Sequence, residues 1–289
     1  MKVVTFSLEQ GNKYFGRVNG GERFFIGSRV SFQGRKGLSN EKGTAAQRYD
    51  RSQFRAAFGF WADFIHPTAV AEGALFHTLN TYDSARFTFA FLQYAAHVPN
   101  GDFVDYLRAL LKLPLAAEYF PDLLLQNGRI CRSKDGVIEQ LESDKSTKGL
   151  MDFLNPTSNE VEDVEVIQSA KFIDWADNDP NHRLVQVTVG VRLFRSKMVE
   201  HATRFLLDGR PDTVCLLVAD ILHQGRQKSV AEIRTALKDS TPVEALLGVG
   251  ATRFPERIAT LRREIKRLTD EGTLGSHVYS LAKKDFVAA

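Results

Sequence analysis

Cysteine is scarce in this chain. Cys131 and Cys215 are the only two among 289 residues, too few for the disulfide framework of a small secreted domain. Cys215 lies in the apolar run Val214-Cys215-Leu216-Leu217-Val218, where a buried free thiol is expected. Long uncharged runs are missing as well, so no membrane span is read. Residues Met1 to Gln10 have neither an apolar core nor a small-residue cleavage site, and they are not a secretory signal. The chain is therefore expected to be cytoplasmic as synthesised, with a non-classical export route left open. Strong charge of one sign is also absent. A net charge of +3 argues against a nucleic-acid partner while still suiting approach to an anionic polymer. No Cys/His cluster exists, and His66, His77 and His97 are not spaced as ligands on one helix, so no metal is expected. Gln33-Gly34-Arg35-Lys36-Gly37 lacks the ending of a phosphate loop, and no Gly-x-Ser-x-Gly elbow occurs. No cofactor is expected, and the sequence assigns no oligomeric state.

What is present divides into two textures. Lys2–Leu8, Lys13–Val18 and Arg23–Phe32 read as strands, with Asn19-Gly20-Gly21 as the turn between the last two. Gly34–Thr44 reads as a loop. Beyond it the pattern is helical. Asp50–Ile65 reads as one helix ending at His66-Pro67, and Thr68 as the cap of a short helix over about 69–79. Asp102–Leu113 is amphipathic and closed by Pro114. Residues 126–149 read as a long solvated loop. Capping boxes are read at Thr157–Glu160, Ser229–Glu232 and Thr241–Glu244. Leu184–Leu207 reads as a long buried helix. Another runs from Pro211 to Gly225, and a last one from Pro255 to Glu271 carries the stripe Ile258, Leu261, Ile265 and Leu268.

The candidate chemistry lies between residues 72 and 97. If residues 69–79 are helical, Glu72 shares a face with Leu75, Phe76 and Leu79, and a carboxylate on an apolar face is suited to general acid work. The alternative is a Glu at the rim of that stripe, facing solvent. Asp83 follows in the polar turn Asn80-Thr81-Tyr82-Asp83-Ser84, as a second carboxylate or as a turn-maker. Two carboxylates in different settings are what acid-catalysed glycoside cleavage requires. Phe87, Phe89 and Phe91 read as core, with Thr88 facing the other way. Gln93 and His97 share a face if Phe91 opens a helix, and Gln93 suits sugar hydroxyls. Asn80, Tyr82, Thr88, Gln93 and His97 are the expected substrate-binding residues. Gln224 joins them if the polar helix end Asp220–Arg226 forms an opposite wall. Helix capping by Gly225 and a C-terminal cation at Arg226 are the competing account of that end.

At these residues the chain resembles the lysozyme-like superfamily of goose-type and phage lysozymes, lytic transglycosylases and chitosanases. That pattern is a helix ending in a catalytic Glu, a polar turn, then a segment like (Thr/Ser)-Phe-Gly-x-(Leu/Met)-Gln. Here the segment is Thr88-Phe89-Ala90-Phe91-Leu92-Gln93, with Ala90 in place of the usual Gly. The match covers about residues 66–100. The resemblance implies that Glu72 protonates the glycosidic oxygen, that Asp83 is the second carboxylate, and that Gln93 lines the sugar cleft.

The expected fold is α+β, mainly α: a lysozyme-like helical fold with a small N-terminal β region. Residues 1–45 are the β-rich region and 46–289 the helical domain, together one compact unit. The expected function is a glycoside hydrolase on a β-1,4-linked amino-sugar polymer, peptidoglycan or chitosan-type. The alternatives are a non-catalytic carbohydrate-binding protein and an assembly scaffold.

Overall fold

The computed structural model describes residues 1–40 and 47–289. In chain order, strands β1 (Val4–Glu9), β2 (Lys13–Val18), β3 (Phe24–Phe32) and β4 (Arg35–Ser39) come first. Helices α1 (Arg51–Phe58), α2 (Phe60–Phe64) and α3 (His66–Ala71) follow, then the short strands β5 (Leu79–Asn80), β6 (Thr88–Phe89) and β7 (Tyr94–Ala95). Next are α4 (Asp102–Leu110), α5 (Ala116–Tyr119), the strands β8 (Leu123–Gln126), β9 (Arg129–Lys134) and β10 (Val137–Gln140), and α6 (Lys148–Leu154). The remainder is α7 (Asp163–Asn178), α8 (Pro180–Phe205), α9 (Asp212–Gln224), α10 (Val230–Ala236), α11 (Pro242–Gly248), α12 (Pro255–Asp270), β11 (His277–Ser280) and β12 (Asp285–Ala288).

The expectation of a mainly helical fold is corrected. Helix accounts for 44% of the described residues and strand for 20%, and the largest sheet among them has seven antiparallel strands. The architecture is a mixed α+β one. Of β4 to β7, only β6 falls in a stretch with visible strand-like alternation, Phe87-Thr88-Phe89-Ala90-Phe91; β5 and β7, two residues each, are below the length at which alternation can be seen.

The chain divides into two compact units. The first comprises residues 1–48 and 75–189, the second 49–74 and 190–289. One boundary falls within α8.

Unit 1 contains a seven-stranded meander in the order β1 to β7, each strand antiparallel to the next. The amide of Asn40 ties β4 to β5, donating to the His77 carbonyl and accepting from the Leu79 N–H, both at 2.7 Å. α7 packs across β1, β2 and β3. Beneath it lies an aromatic core centred on Phe172, which meets Phe87, Phe89 and Phe120 at ring distances of 5.5, 5.2 and 4.8 Å. Each such buried ring contributes roughly 1.5–3 kcal/mol. The core reading of Phe87, Phe89 and Phe91 holds, since all three are fully buried. The stretch 126–149 is not a long loop: most of it forms the β8–β10 sheet and the start of α6. Asn127-Gly128 and Asp135-Gly136 supply the positive-φ turns between its strands. The Gly34–Thr44 loop contains β4 instead, and its residues 41–44, with the 45/46 boundary, lie outside the described residues.

Unit 2 is built from α1–α3, the second part of α8, α9–α12 and the β11–β12 hairpin. The single helix expected over 50–65 is broken at Gly59, whose φ of +57° separates α1 from α2. α3 then begins at His66, where an ending was expected, because Pro67 is well placed in a first turn. α9 ends at Gly225 in the left-handed conformation, φ 70°, as its sequence implies. α12 buries Ile258, Leu261, Ile265 and Leu268 and packs on α3. The capping boxes do not form as read. α7 starts at Asp163, and the Thr157 hydroxyl accepts from Asn159 in a local turn. Ser229 and Thr241 flank α10 and α11 without a side-chain cap. No helix among the described residues is long and apolar enough to cross a membrane.

Candidate functional site

The helix expected over 69–79 ends at Ala71. Glu72 is its C-cap, and Gly73 and Ala74, with φ of +93° and +59°, turn the chain away. Leu75, Phe76 and Leu79 therefore do not share a helical face with Glu72. What lies beside its carboxylate is a guanidinium. Arg257 Nη1 of α12 donates to Glu72 Oε1 at 2.5 Å, and the two side chains are 8% and 13% exposed.

This pair is one end of a chain of four charges within unit 2. The same guanidinium donates through Nη2 to Asp220 Oδ1 at 2.7 Å. Asp220 lies in α9 and is fully buried. It also accepts from Arg226 Nη1 on its other oxygen and from the Thr68 hydroxyl at 2.9 Å. Arg226 is itself fully buried and donates through Nε to the Val249 carbonyl at 3.1 Å. Gly250 hugs this arginine: a Cβ there would stand 2.9 Å from the Arg226 carbonyl oxygen. Carboxylate and guanidinium thus alternate from Glu72 through Arg257 and Asp220 to Arg226. Burial alone would push the Asp220 pKa up, and the two arginines outweigh it, holding the group below the ordinary aspartate value.

Sequence reading attributed Arg226 to a helix C-terminus and Thr68 to a cap. Each instead serves Asp220. Arg257 was missed altogether. Its signal was spacing: it stands four residues before Leu261 on the edge of the apolar stripe of α12, a costly place for a cation without a partner. Gln224 sits one turn beyond Asp220, partly exposed, with its Oε1 buried and unpartnered.

The remaining candidates belong to unit 1. Asn80 and Thr88 are cross-strand partners in β5 and β6, so their side chains lie on one side of the sheet. Asn80 Nδ2 donates to Asp83 Oδ2 at 3.3 Å, and Asp83 Oδ1 accepts from the Ala85 N–H at 2.8 Å. Asp83 thus makes the turn that its sequence suggested. The structure brings together Asn80, Asp83 and Thr88. Tyr82 packs edge-on against Phe32, ring centroids 6.2 Å apart. Gln93 and His97 do not share a helical face. Gln93, φ +55°, closes the turn between β6 and β7, its N–H donating to the Ala90 carbonyl at 2.9 Å. His97 lies beyond β7 and is exposed. Ala90 has φ +84°, a conformation that favours glycine.

Behind this turn, Glu165 in the first turn of α7 is fully buried. It accepts from the Thr81 hydroxyl, and its other oxygen has no partner among the described residues. Burial pushes its pKa up to about 7.

Compared with known proteins, the chain matches no family model, no curated protein and no solved structure.

Proposed function

We propose that this chain is a glycoside hydrolase acting on a β-1,4-linked amino-sugar polymer, with Glu72 as the general acid. The observation that carries the reading is the alternating chain Glu72–Arg257–Asp220–Arg226. Burying four charges brings little net stability compared with apolar packing, so a role beyond stability is favoured. General acid catalysis supplies one, provided that Glu72, a carboxylate at rest against Arg257, first takes up a proton as substrate binds. When that proton passes to the leaving glycosidic oxygen, the guanidinium fixed by Asp220 again meets the carboxylate that remains on Glu72. The resemblance of Thr88–Gln93 to the lysozyme-like pattern, one of sequence alone because Gln93 here closes a β turn, suggests the reaction class.

The test is reducing-end release from purified peptidoglycan and from chitosan, comparing wild type with Glu72→Gln. A loss of about 10²–10⁴-fold is expected for the variant. Full activity in Glu72→Gln removes the assignment. Asp83→Asn is the matching test for a second carboxylate: a comparable loss assigns it, and unchanged turnover limits Asp83 to shaping its turn.

One observation favours a second reading, a carbohydrate-binding protein without turnover. Both Asp83 oxygens are engaged by its own turn. Oligosaccharide binding with no cleavage on prolonged incubation would select it.

A further inference from the structure

Unit 1 also contains a cavity of about 360 Å³ that plays no part in the proposed hydrolysis. Its size suits a small molecule. Its wall includes Phe120, Asp122, Arg132, Phe153, Gln168 and Lys171.

Four of these side chains have hydrogen-bonding capacity that nothing among the described residues uses. The Arg132 guanidinium lies over the Phe153 ring at 5.3 Å, and its Nε is buried without a partner. The Lys171 ammonium lies over the Phe120 ring at 5.4 Å and forms no ion pair among the described residues. Burial pulls its pKa below the ordinary lysine value, against the pull of Asp122. The Asp122 carboxylate, on the exposed rim, likewise has no side-chain partner among the described residues. Gln168 is 8% exposed. Its Nε2 donates only weakly, to the Phe153 carbonyl at 3.5 Å, and its Oε1 is buried and unpaired. The second acid on the wall, Asp152, is already occupied by Arg86 at 2.9 Å and Lys148 at 2.5 Å.

The open groups are therefore two cations and two acceptors, set among rings and apolar side chains. Arg132 Nε and Gln168 Oε1, buried and unpaired among the described residues, cost free energy until a ligand meets them. A simple anion would satisfy Arg132 and Lys171 while facing Asp122. A simple cation would have the converse fault. A ligand carrying both charges on adjacent carbons satisfies all four.

We propose that this cavity binds a free α-amino acid with an apolar side chain. Its carboxylate lies toward Arg132 and Lys171, its ammonium toward Asp122 and Gln168 Oε1, and its side chain against Phe120 and Phe153. Charge-assisted hydrogen bonds at both ends set the specificity.

The experiment is calorimetric titration of the full chain with L-leucine, L-phenylalanine, N-acetyl-L-leucine, L-leucinamide and inorganic phosphate. At least one free amino acid is expected to bind, with each capped form at least about tenfold weaker. Arg132→Gln and Lys171→Gln are each expected to weaken it by about tenfold or more. Should Arg132→Gln not fold, Lys171→Gln carries the test, since Lys171 makes no ion pair or side-chain hydrogen bond among the described residues for folding to lose. The proposal is overturned if neither free amino acid binds at about 1 mM. It also fails if capped forms or phosphate bind as tightly, or if Lys171→Gln binds like wild type. The readout is binding alone, so its outcome is independent of hydrolase activity.

Discussion

Asp220 and Glu165 are two solutions to one problem. Each is a fully buried carboxyl on a helix, and each accepts a hydrogen bond from a threonine hydroxyl, Thr68 for Asp220 and Thr81 for Glu165. They differ in their cations. Asp220 has two guanidiniums and stays below the ordinary aspartate pKa despite its burial. Glu165 has none among the described residues, and burial lifts it to about 7. Burial thus decides the protonation state only where no cation opposes it. The two carboxyls consequently give the units opposite responses to pH. For Asp220 the folded pKa lies below the unfolded one, so its contribution is present above the ordinary carboxylate range and is lost in acid. For Glu165 the folded pKa lies above, so its contribution is full below about 4.5 and is lost as pH rises toward 7.

The contrast breaks most severely at Asp220. Asp220→Asn strands two guanidiniums in the interior and is expected to destabilise the protein by about 3–5 kcal/mol, read by urea denaturation at neutral pH. Glu165→Gln tests the other side. Wild type should lose on the order of 3 kcal/mol between pH 4.5 and 7 through this group. A melting series across that range should be flatter in the variant, and an unchanged slope would refute the assignment. Arg257→Lys keeps the charge but cannot bridge Glu72 and Asp220 at once. A cost of about 1–2 kcal/mol is expected, with reduced reducing-end release if Glu72 is the acid. The smallest effect belongs to Ala90→Gly, which relieves a positive φ and should be stabilising by no more than about 1 kcal/mol in thermal melts.

How far these features could be read in advance depended on the distance over which each is determined. β1 to β3 and the Asn19-Gly20-Gly21 turn follow from local alternation and turn chemistry. So do the ends of α9 and α12, marked by Pro211, Gly225 and Pro255. The Phe87–Phe91 alternation marks β6, whereas β5 and β7 carry too few residues to show a period, and β5 is held to β4 by Asn40 from elsewhere in the chain. Glu72 was found for its neighbours along a helix that ends before reaching them, whereas its partner lies on α12. Asp220 and Arg226 stood out as polar residues at the end of an apolar helix, yet nothing local shows that they pair with each other and with Arg257. Glu165 stands with Asp163 among the acidic residues of the first turn of α7, a setting that gives no sign of burial. Its burial comes from α7 lying across the sheet, a fact with no local trace.

Unit 2 is assembled from two stretches of chain far apart in sequence, and this has a consequence for biosynthesis. Glu72 waits for an arginine 185 residues downstream, and Thr68 for an aspartate 152 residues downstream. At ordinary translation speeds the first interval lasts roughly 10–40 s. During it α1 to α3 leave the ribosome without the helices they pack on, exposing Trp61 and Phe64 as a hydrophobic surface that a chaperone would recognise. The charge network can close only once α12 has been made, so a chain that ends before Arg257 lacks it.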